Sequence, residues 1–372
     1  MKILFFISHQ PNPRFIKQIN FLAKNNLVTL IFFHRKTLAN LNSSLDKTVV
    51  LHNLKEIPNA SKPIKRMLVY FKAIRKIKKI INLAEFNLVL VNNIDVLLLF
   101  IFSKTKLSSE KKETKIVIEI SDLREFVFKK SFLSKIMRSL EKKLYTKYID
   151  KLIITSKKYY SYHFENFFKK EIFVLENKLL SNNTNNKVVG TKIISDKIII
   201  GIVGLLLRKD EYIKLFECYK NTPEVEIHVY GKGEYQYVVE NYASKYNNIT
   251  YFGSYNGITE TQNIYKSIDV IYLVYDTEKV SLNNKLALPN KLYECMCYKV
   301  PMICSKGTYL EERVVDLGIG MAINYKQKNE IEGALDFVRE NIEEINNNFN
   351  KLNENSYFGN QDYIELETFL KK

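Results

Sequence analysis

The chain has 372 residues, 46% of them hydrophobic, and a formal net charge of +17. That is room for two domains of ordinary size, each with a sizeable core. The longest apolar run, 96–102, excludes a membrane-spanning helix, which needs roughly 20 such residues. The charge is uneven: residues 1–190 carry 36 Lys and Arg against 14 Asp and Glu, and residues 191–372 carry 21 against 26. Such an asymmetry points the first half at something anionic: nucleic acid, a membrane surface or a phosphorylated substrate. Cys218, Cys295, Cys297 and Cys304 have no partners at zinc-ligand spacing, and the five histidines are scattered, so buried reduced thiols and no metal site are expected. Met1-Lys2 runs straight into an apolar segment without a secretory cleavage pattern, so a cytoplasmic place is expected, free or resting on the inner face of the membrane.

In chain order, an apolar strand at 2–7 is followed by a turn at Pro11 and Pro13, a helical pattern through Lys24 and a second strand at 27–33. Strand, loop, helix, strand is the opening of a parallel sheet. The unit recurs with strands at 88–91, 115–120 and 151–155, which end in Asn92-Asn93, Ser121-Asp122 and Ser156. Polar residues gather at the carboxyl ends of these strands, the edge where open α/β sheets bind ligands. Between the strands, residues 62–79 hold eight basic residues and no acid, and Ile64, Met67, Leu68, Phe71 and Ile74 form one helical stripe. That stripe either belongs to the core, with the lysines merely solvated, or lies on an anionic membrane surface. A second tract, 129–147, has seven basic residues against Glu141.

The polar run 181–186, SNNTNN, has the character of a linker, and beyond it the pattern restarts. Strands are expected at 197–203, 226–230, 249–252, 269–274, 300–304 and 320–323. The first four end in Gly204, Gly231-Lys232-Gly233, Gly253 and Tyr275-Asp276. The tail from 329 reads helical, with a break near 356–360. The expected organisation is therefore α/β with two Rossmann-like parallel-sheet domains, 1–185 and 186–355, facing across a cleft between their carboxyl edges. A terminal helix in 356–372 is expected to pack back on the first domain.

The second domain's strand ends carry the chemistry. Gly204 lets the backbone approach a ligand closely, and Arg208 and Lys209 follow it, a fork and a point charge suited to phosphate. Taken alone, that loop is equally a solvated basic turn, and Gly231-Lys232-Gly233 equally a plain turn. In a parallel sheet, however, both lie on one edge. The stretch ALPNKLYECMCYKVPMICS, 287–305, then reads as a helix starting at Pro289 or Asn290, followed by a core strand. Its amino end offers N–H groups and positive dipole to a diphosphate, and Lys291 adds a full charge. Glu294, one turn on, faces the same side and suits a ribose diol. The competing reading of Lys291 and Glu294 is a surface ion pair of small energetic weight.

With its flanks, this stretch resembles the donor-binding segment of GT-B glycosyltransferases of the large family 4 type. The variant most similar in pattern, with its "PNKLYE…PII" run, is that of bacterial capsule and surface-polysaccharide enzymes. The run 288–303 carries the resemblance. It is joined in order by Ile202-Val203-Gly204, Gly231-Lys232-Gly233, 249–253 and Ile268-Asp269-Val270, and in the first half by Glu119-Ile120-Ser121-Asp122-Leu123. The resemblance implies a GT-B fold and transfer from a nucleoside-diphosphate sugar, UDP- or GDP-linked, without a metal and with retention. It matches Glu294 to the ribose-binding glutamate that ends the family's E-x₇-E motif. The first glutamate of that motif falls on Leu286, a departure that bears on the sugar contacts, for which Asn283, Asn284 or Lys285 stand near. Leu205 replaces the family's arginine, with Arg208 and Lys209 as nearby substitutes, and Ser121 replaces the histidine before Asp122.

Together these readings make Arg208, Lys291 and Asp122 the catalytic candidates. Gly204, Lys209, Gly231, Gly233, Asn290 and Glu294 are the donor-binding candidates, and Ser121 and Asp122 stand on the acceptor side. No cofactor is expected. The expected partners are a nucleotide sugar, a lipid-linked or polysaccharide acceptor and an anionic membrane surface met by the basic first domain, and not nucleic acid. The rival readings are a nucleotide-sugar epimerase, a non-catalytic relative and a basic nucleic-acid-binding protein, the last of which lacks interleaved surface aromatics.

Overall fold

A computed structural model describes the whole chain except residues 35–40, 42, 59–62, 84, 105–113, 182–195 and 258. All of the linker run 181–186 but its first residue lies outside the described residues. Two compact units emerge, Met1–Glu176 with Asp362–Lys372, and Asn177–Gln361.

The first unit is built on seven strands: β1 (Lys2–Ile7), β2 (Leu27–His34), β3 (Val50–Glu56), β4 (Leu88–Val91), β5 (Lys115–Ile120), β6 (Lys151–Ile154) and β7 (Glu171–Val174). All pairings are parallel, in the order β3-β2-β1-β4-β5-β6-β7. The chain starts in the sheet's centre, winds outward to one edge and then returns to build the other. The order reverses beside β1, where β4 takes the other flank and the carboxyl ends leave a crevice. Ile3, Leu4, Phe5, Phe6 and Ile7 are all fully buried, because helices cover both faces of a parallel sheet. That coverage makes the strand a continuous apolar run rather than an alternating one. The two strands not foreseen from sequence, β3 and β7, are the sheet's edges. Their sequences VLHNLKE and EIFV are mostly partly exposed and carry no buried apolar run.

The carboxyl-terminal helix Asn360–Lys371 reaches the first unit from residue 362 onward. Tyr363 stacks on Phe21 at 5.4 Å, Lys151 Nζ donates to the Phe369 carbonyl at 2.6 Å, and Glu367 accepts from the side chains of Asn25 and Asn26 at 3.2 and 3.0 Å. Burial works against the charge of Glu367, but Lys371 and these two amides hold its carboxyl below the usual range.

The helix Pro63–Leu83 decides whether its apolar stripe belongs to the core. It buries Ala73, Ile77, Ile80 and Ile81, whereas Met67, Leu68 and Phe71 are exposed. The stripe is therefore not core; the side chain of Ile64 lies outside the described residues. The helix Phe132–Tyr148 behaves alike: Phe132, Leu133, Ile136 and Leu140 are exposed, and its one acid, Glu141, is buried with its Oε2 2.5 Å from His163 Nε2. Among the described residues, no helix is long and apolar enough to cross a membrane.

The second unit holds β8 (Ile198–Val203), β9 (Val225–Tyr230), β10 (Ile249–Gly253), β11 (Val270–Leu273), β12 (Met302–Ser305) and β13 (Gly320–Ile323). They are again all parallel, in the order β10-β9-β8-β11-β12-β13, with the reversal between β8 and β11. The stretch 287–305 supplies the helix Asn290–Tyr298, which buries Leu292, Tyr293, Cys295, Met296, Cys297 and Tyr298 and leads into β12. Lys299 takes the left-handed conformation, φ +53°, and so ends the helix before Val300-Pro301. All four cysteines are free thiols.

Candidate functional site

Three glycines follow or end neighbouring strands on the carboxyl edge of the second sheet, and each has positive φ: Gly253 at β10, Gly231 after β9 and Gly204 after β8. The Gly231 N–H donates to the Gly253 carbonyl at 2.7 Å, and the Gly204 N–H to the Tyr230 carbonyl at 2.9 Å. The loops beyond are stitched together in the same way. Leu206 N–H donates to the Lys232 carbonyl at 2.9 Å, and Tyr235 N–H to the Leu206 carbonyl at 3.0 Å. Glycine is required here by contact as well as by conformation. A Cβ on Gly231 would stand 1.7 Å from the Gly204 carbonyl oxygen, and one on Gly233 would stand 2.3 Å from the Leu206 carbonyl oxygen. A backbone edge this tight presents N–H and C=O groups with no side chain between them and an approaching ligand.

Lys291 lies against that edge, its Cε 3.6 Å from where a Cβ of Gly204 would stand. Its ammonium donates to Glu294 Oε2 at 2.6 Å and to the Tyr255 hydroxyl at 3.2 Å. The fully buried Tyr265 donates its hydroxyl to the same Glu294 Oε2 at 2.8 Å. With side chains only 15% and 12% exposed, Lys291 and Glu294 are not the solvent-screened pair of the competing reading. Burial opposes the lysine's charge, but Glu294 and Tyr255 outweigh it and hold the Lys291 pKa above the ordinary value. The result is a fixed cation at the amino end of a helix whose N-cap, Pro289, supplies no side-chain hydrogen bond to the first turn. Asn290, the first helical residue, accepts from the Asn177 side chain at 2.6 Å.

Arg208 stands farther along the same edge. Its guanidinium lies 5.2 Å from the ring centre of Tyr275, which follows β11. The Tyr275 backbone is clamped to the end of β12: its N–H donates to Ser305 Oγ at 2.7 Å, and that hydroxyl donates back to the Tyr275 carbonyl at 3.0 Å. The buried Glu211 ties the helix after Arg208 to the same place by accepting from the Asp276 N–H at 2.6 Å. Lys209 is exposed at the start of that helix, Asp210–Tyr219. Of the donor-side candidates, the structure thus gathers Gly204, Gly231, Gly233, Lys291 and Glu294, sets Arg208 over the end of β11, and leaves Lys209 at the rim.

On the first unit, Ser121 and Asp122 follow β5 at the carboxyl edge. Ser121 Oγ accepts from Arg14 Nη2 at 2.5 Å, and Arg14 pairs with the fully buried Glu119. Asp122 is exposed. His9, after β1, brings its Nδ1 to within 3.4 Å of the side-chain nitrogen of Asn92, which follows β4. Since β1, β4 and β5 are neighbours, this is one polar edge.

Sequence reasoning missed Tyr255 and Tyr265, the partners that fix Lys291 and Glu294, and the buried pair of Arg14 and Glu119. The tyrosines lie 36 and 29 residues from the groups they touch, beyond any local periodicity. A usable signal existed for Glu119: a lone carboxylate within the apolar run KIVIEI demands a buried partner.

The fold is that of the GT-B glycosyltransferases. Three solved structures show the likeness at full chain scale. The lipopolysaccharide outer core galactosyltransferase WaaB, in apo form, superposes with a TM-score of 0.67 at 14% identity, covering 100% of both chains. Anabaena Alr3699/HepE in complex with UDP gives 0.67 at 12% identity, again covering 100% of both. WaaG, a glycosyltransferase involved in lipopolysaccharide biosynthesis, gives 0.60 at 13% identity over 95% of this chain and 97% of its own. No curated protein matches the chain. The model of the family described as glycosyl transferases group 1 matches residues 184–356. The chain thus carries a group 1 glycosyl transferase domain, and by that domain it is a transferase.

Proposed function

We propose that the protein moves a sugar from a nucleoside-diphosphate donor to a lipid-linked or growing surface-polysaccharide acceptor, without a metal and with retention of configuration. The observation that carries this reading is the ammonium of Lys291, held beside Gly204 at the start of a helix with Glu294 one turn behind it. A diphosphate on that edge meets a fixed cation, the helix amino end and, farther along, Arg208. Glu294 takes the ribose hydroxyls. The bond between the sugar's anomeric carbon and the phosphate oxygen breaks, and the acceptor oxygen bonds to that carbon. The acceptor's proton passes to the departing phosphate oxygen, so no side-chain base is required. Ser121 and Asp122 orient the acceptor. The structures of HepE with UDP, and those of WaaB and WaaG with their lipopolysaccharide roles, support this choice of donor and product class.

A thermal-shift series with UDP, GDP and their sugar conjugates tests the reading. A ligand present at a hundred times its Kd stabilises the fold by about 2.7 kcal/mol. Stabilisation by one nucleoside diphosphate, and sugar release or transfer that persists in EDTA, are expected. Indifference to every nucleotide at millimolar concentration sinks the proposal.

The first unit's surface fits an acceptor carried on a lipid at the cytoplasmic face. Met67, Leu68 and Phe71 on one helix, and Phe132, Leu133 and Ile136 on another, are exposed among lysines. Apolar side chains that reach the acyl boundary and cations that meet anionic headgroups, at about 1 kcal/mol per Lys or Arg, give reversible docking. Vesicles containing phosphatidylglycerol should sediment the protein at low salt, and phosphatidylcholine vesicles should not. The double substitution F132S/L133S should weaken vesicle affinity by about tenfold or more, since each buried apolar side chain contributes up to about 1.5–3 kcal/mol. Equal binding to both vesicle types removes the docking surface.

A further inference from the structure

We infer that Tyr265 is a specificity-determining positioning residue: its hydroxyl fixes which oxygen of Glu294 is offered to the donor's ribose. The inference rests on the reading of Glu294 as the ribose contact. Tyr265 lies on the short helix Thr261–Lys266, is fully buried, and packs its ring 5.1 Å from that of Tyr298. Its hydroxyl reaches Glu294 Oε2 at 2.8 Å, and Lys291 Nζ reaches the same oxygen at 2.6 Å. Both donors converge on Oε2, so Oε1 is left to accept from a ligand.

The two donors are not equivalent. Lys291 sits on a flexible stem beside Gly204, and a diphosphate bound at that edge competes for its ammonium. Tyr265 approaches from the core and has no phosphate to turn to. When ligand draws the lysine away, the tyrosine is the donor that keeps Oε2 engaged. Rotation of the carboxylate would then strand a buried hydroxyl without a partner, which is costly. Tyr265 therefore holds Oε1 outward at the moment the ribose needs it. Burial, followed by the nearby Glu294 charge, pushes the Tyr265 pKa well above its ordinary value, so the hydroxyl keeps its proton to donate.

Calorimetric titration of the full chain with UDP and 2′-deoxy-UDP, and with the guanosine pair, tests this on wild type, Tyr265→Phe and Glu294→Gln. The phenylalanine keeps the ring and its packing, so the melting temperature should change little. Wild type should prefer the ribonucleotide by about 10- to 100-fold, the range for a hydrogen bond to a charged group. Tyr265→Phe should lose about tenfold of that preference while its affinity for the deoxynucleotide stays within twofold. Equal weakening toward both nucleotides would make Tyr265 a structural support only and overturn the inference. If Glu294→Gln abolishes the preference and Tyr265→Phe retains it in full, the inference fails while the ribose reading stands. If wild type itself shows no preference, the ribose reading fails and takes the inference with it.

Discussion

Replacing Gly231 by alanine should destabilise the second unit by about 3–5 kcal/mol, at the top of the range for single substitutions, and abolish nucleotide binding. Two costs add. The residue has φ +141°, a region L-residues with a Cβ rarely enter. The new methyl would also lie 1.7 Å from the Gly204 carbonyl oxygen, which is backbone and cannot rotate away. Relief requires prising β8 and β9 apart at their carboxyl ends, and that breaks the Gly204 N–H bond to the Tyr230 carbonyl and the Leu206 N–H bond to the Lys232 carbonyl. Against a total stability of about 5–15 kcal/mol, the loss is large. Gly204→Ala is the control. Its φ of +129° is equally unfavourable, but its Cβ would meet only Lys291 Cε at 3.6 Å, so it should cost less than half as much. Urea titrations of both variants measure the difference, and equal midpoints for Gly231→Ala and wild type would show that the edge is not packed as described.

The second large effect is expected at Glu294. Glu294→Ala should weaken nucleoside-diphosphate binding by about 10- to 100-fold, from the loss of charge-assisted hydrogen bonds to the ligand. That is about 1.4–2.7 kcal/mol of binding free energy, and stability should fall by somewhat less, about 1–2 kcal/mol. The smaller number has a specific origin. Lys291 and Tyr265 lose their shared acceptor, but Lys291 keeps Tyr255 and some access to water. Calorimetry beside a melting curve separates the two. A variant that binds UDP and GDP as wild type does, yet melts early, would reassign Glu294 to structure alone.

Much of this molecule can be read along the chain, and what cannot has an identifiable cause. Central strands declare themselves because a parallel sheet is covered on both faces, so β1, β4 and β8 are near-continuous apolar runs and β5 is one interrupted by Glu119. The edge strands β3 and β7 escape because their sides meet solvent and their sequences look like loops. Glycines at strand ends are legible as punctuation. That Gly204 and Gly231 press backbone against backbone is a property of the pairing of β8 and β9, which are separated by a whole helix in sequence. The stripe Met67, Leu68, Phe71 was legible as helical, but which way it faces was not.

The sequence alone determined the two parallel α/β domains, the polar carboxyl edges, the basic first half and the one-turn spacing of Lys291 and Glu294. These follow from local periodicity and residue chemistry, which need no knowledge of neighbours. Tertiary structure decided that this pair is largely shielded from water, that Tyr255 and Tyr265 hold it, and that two helices leave apolar faces uncovered. Burial and partnership are set by which strands lie side by side, and distant segments meet only when the sheet is assembled.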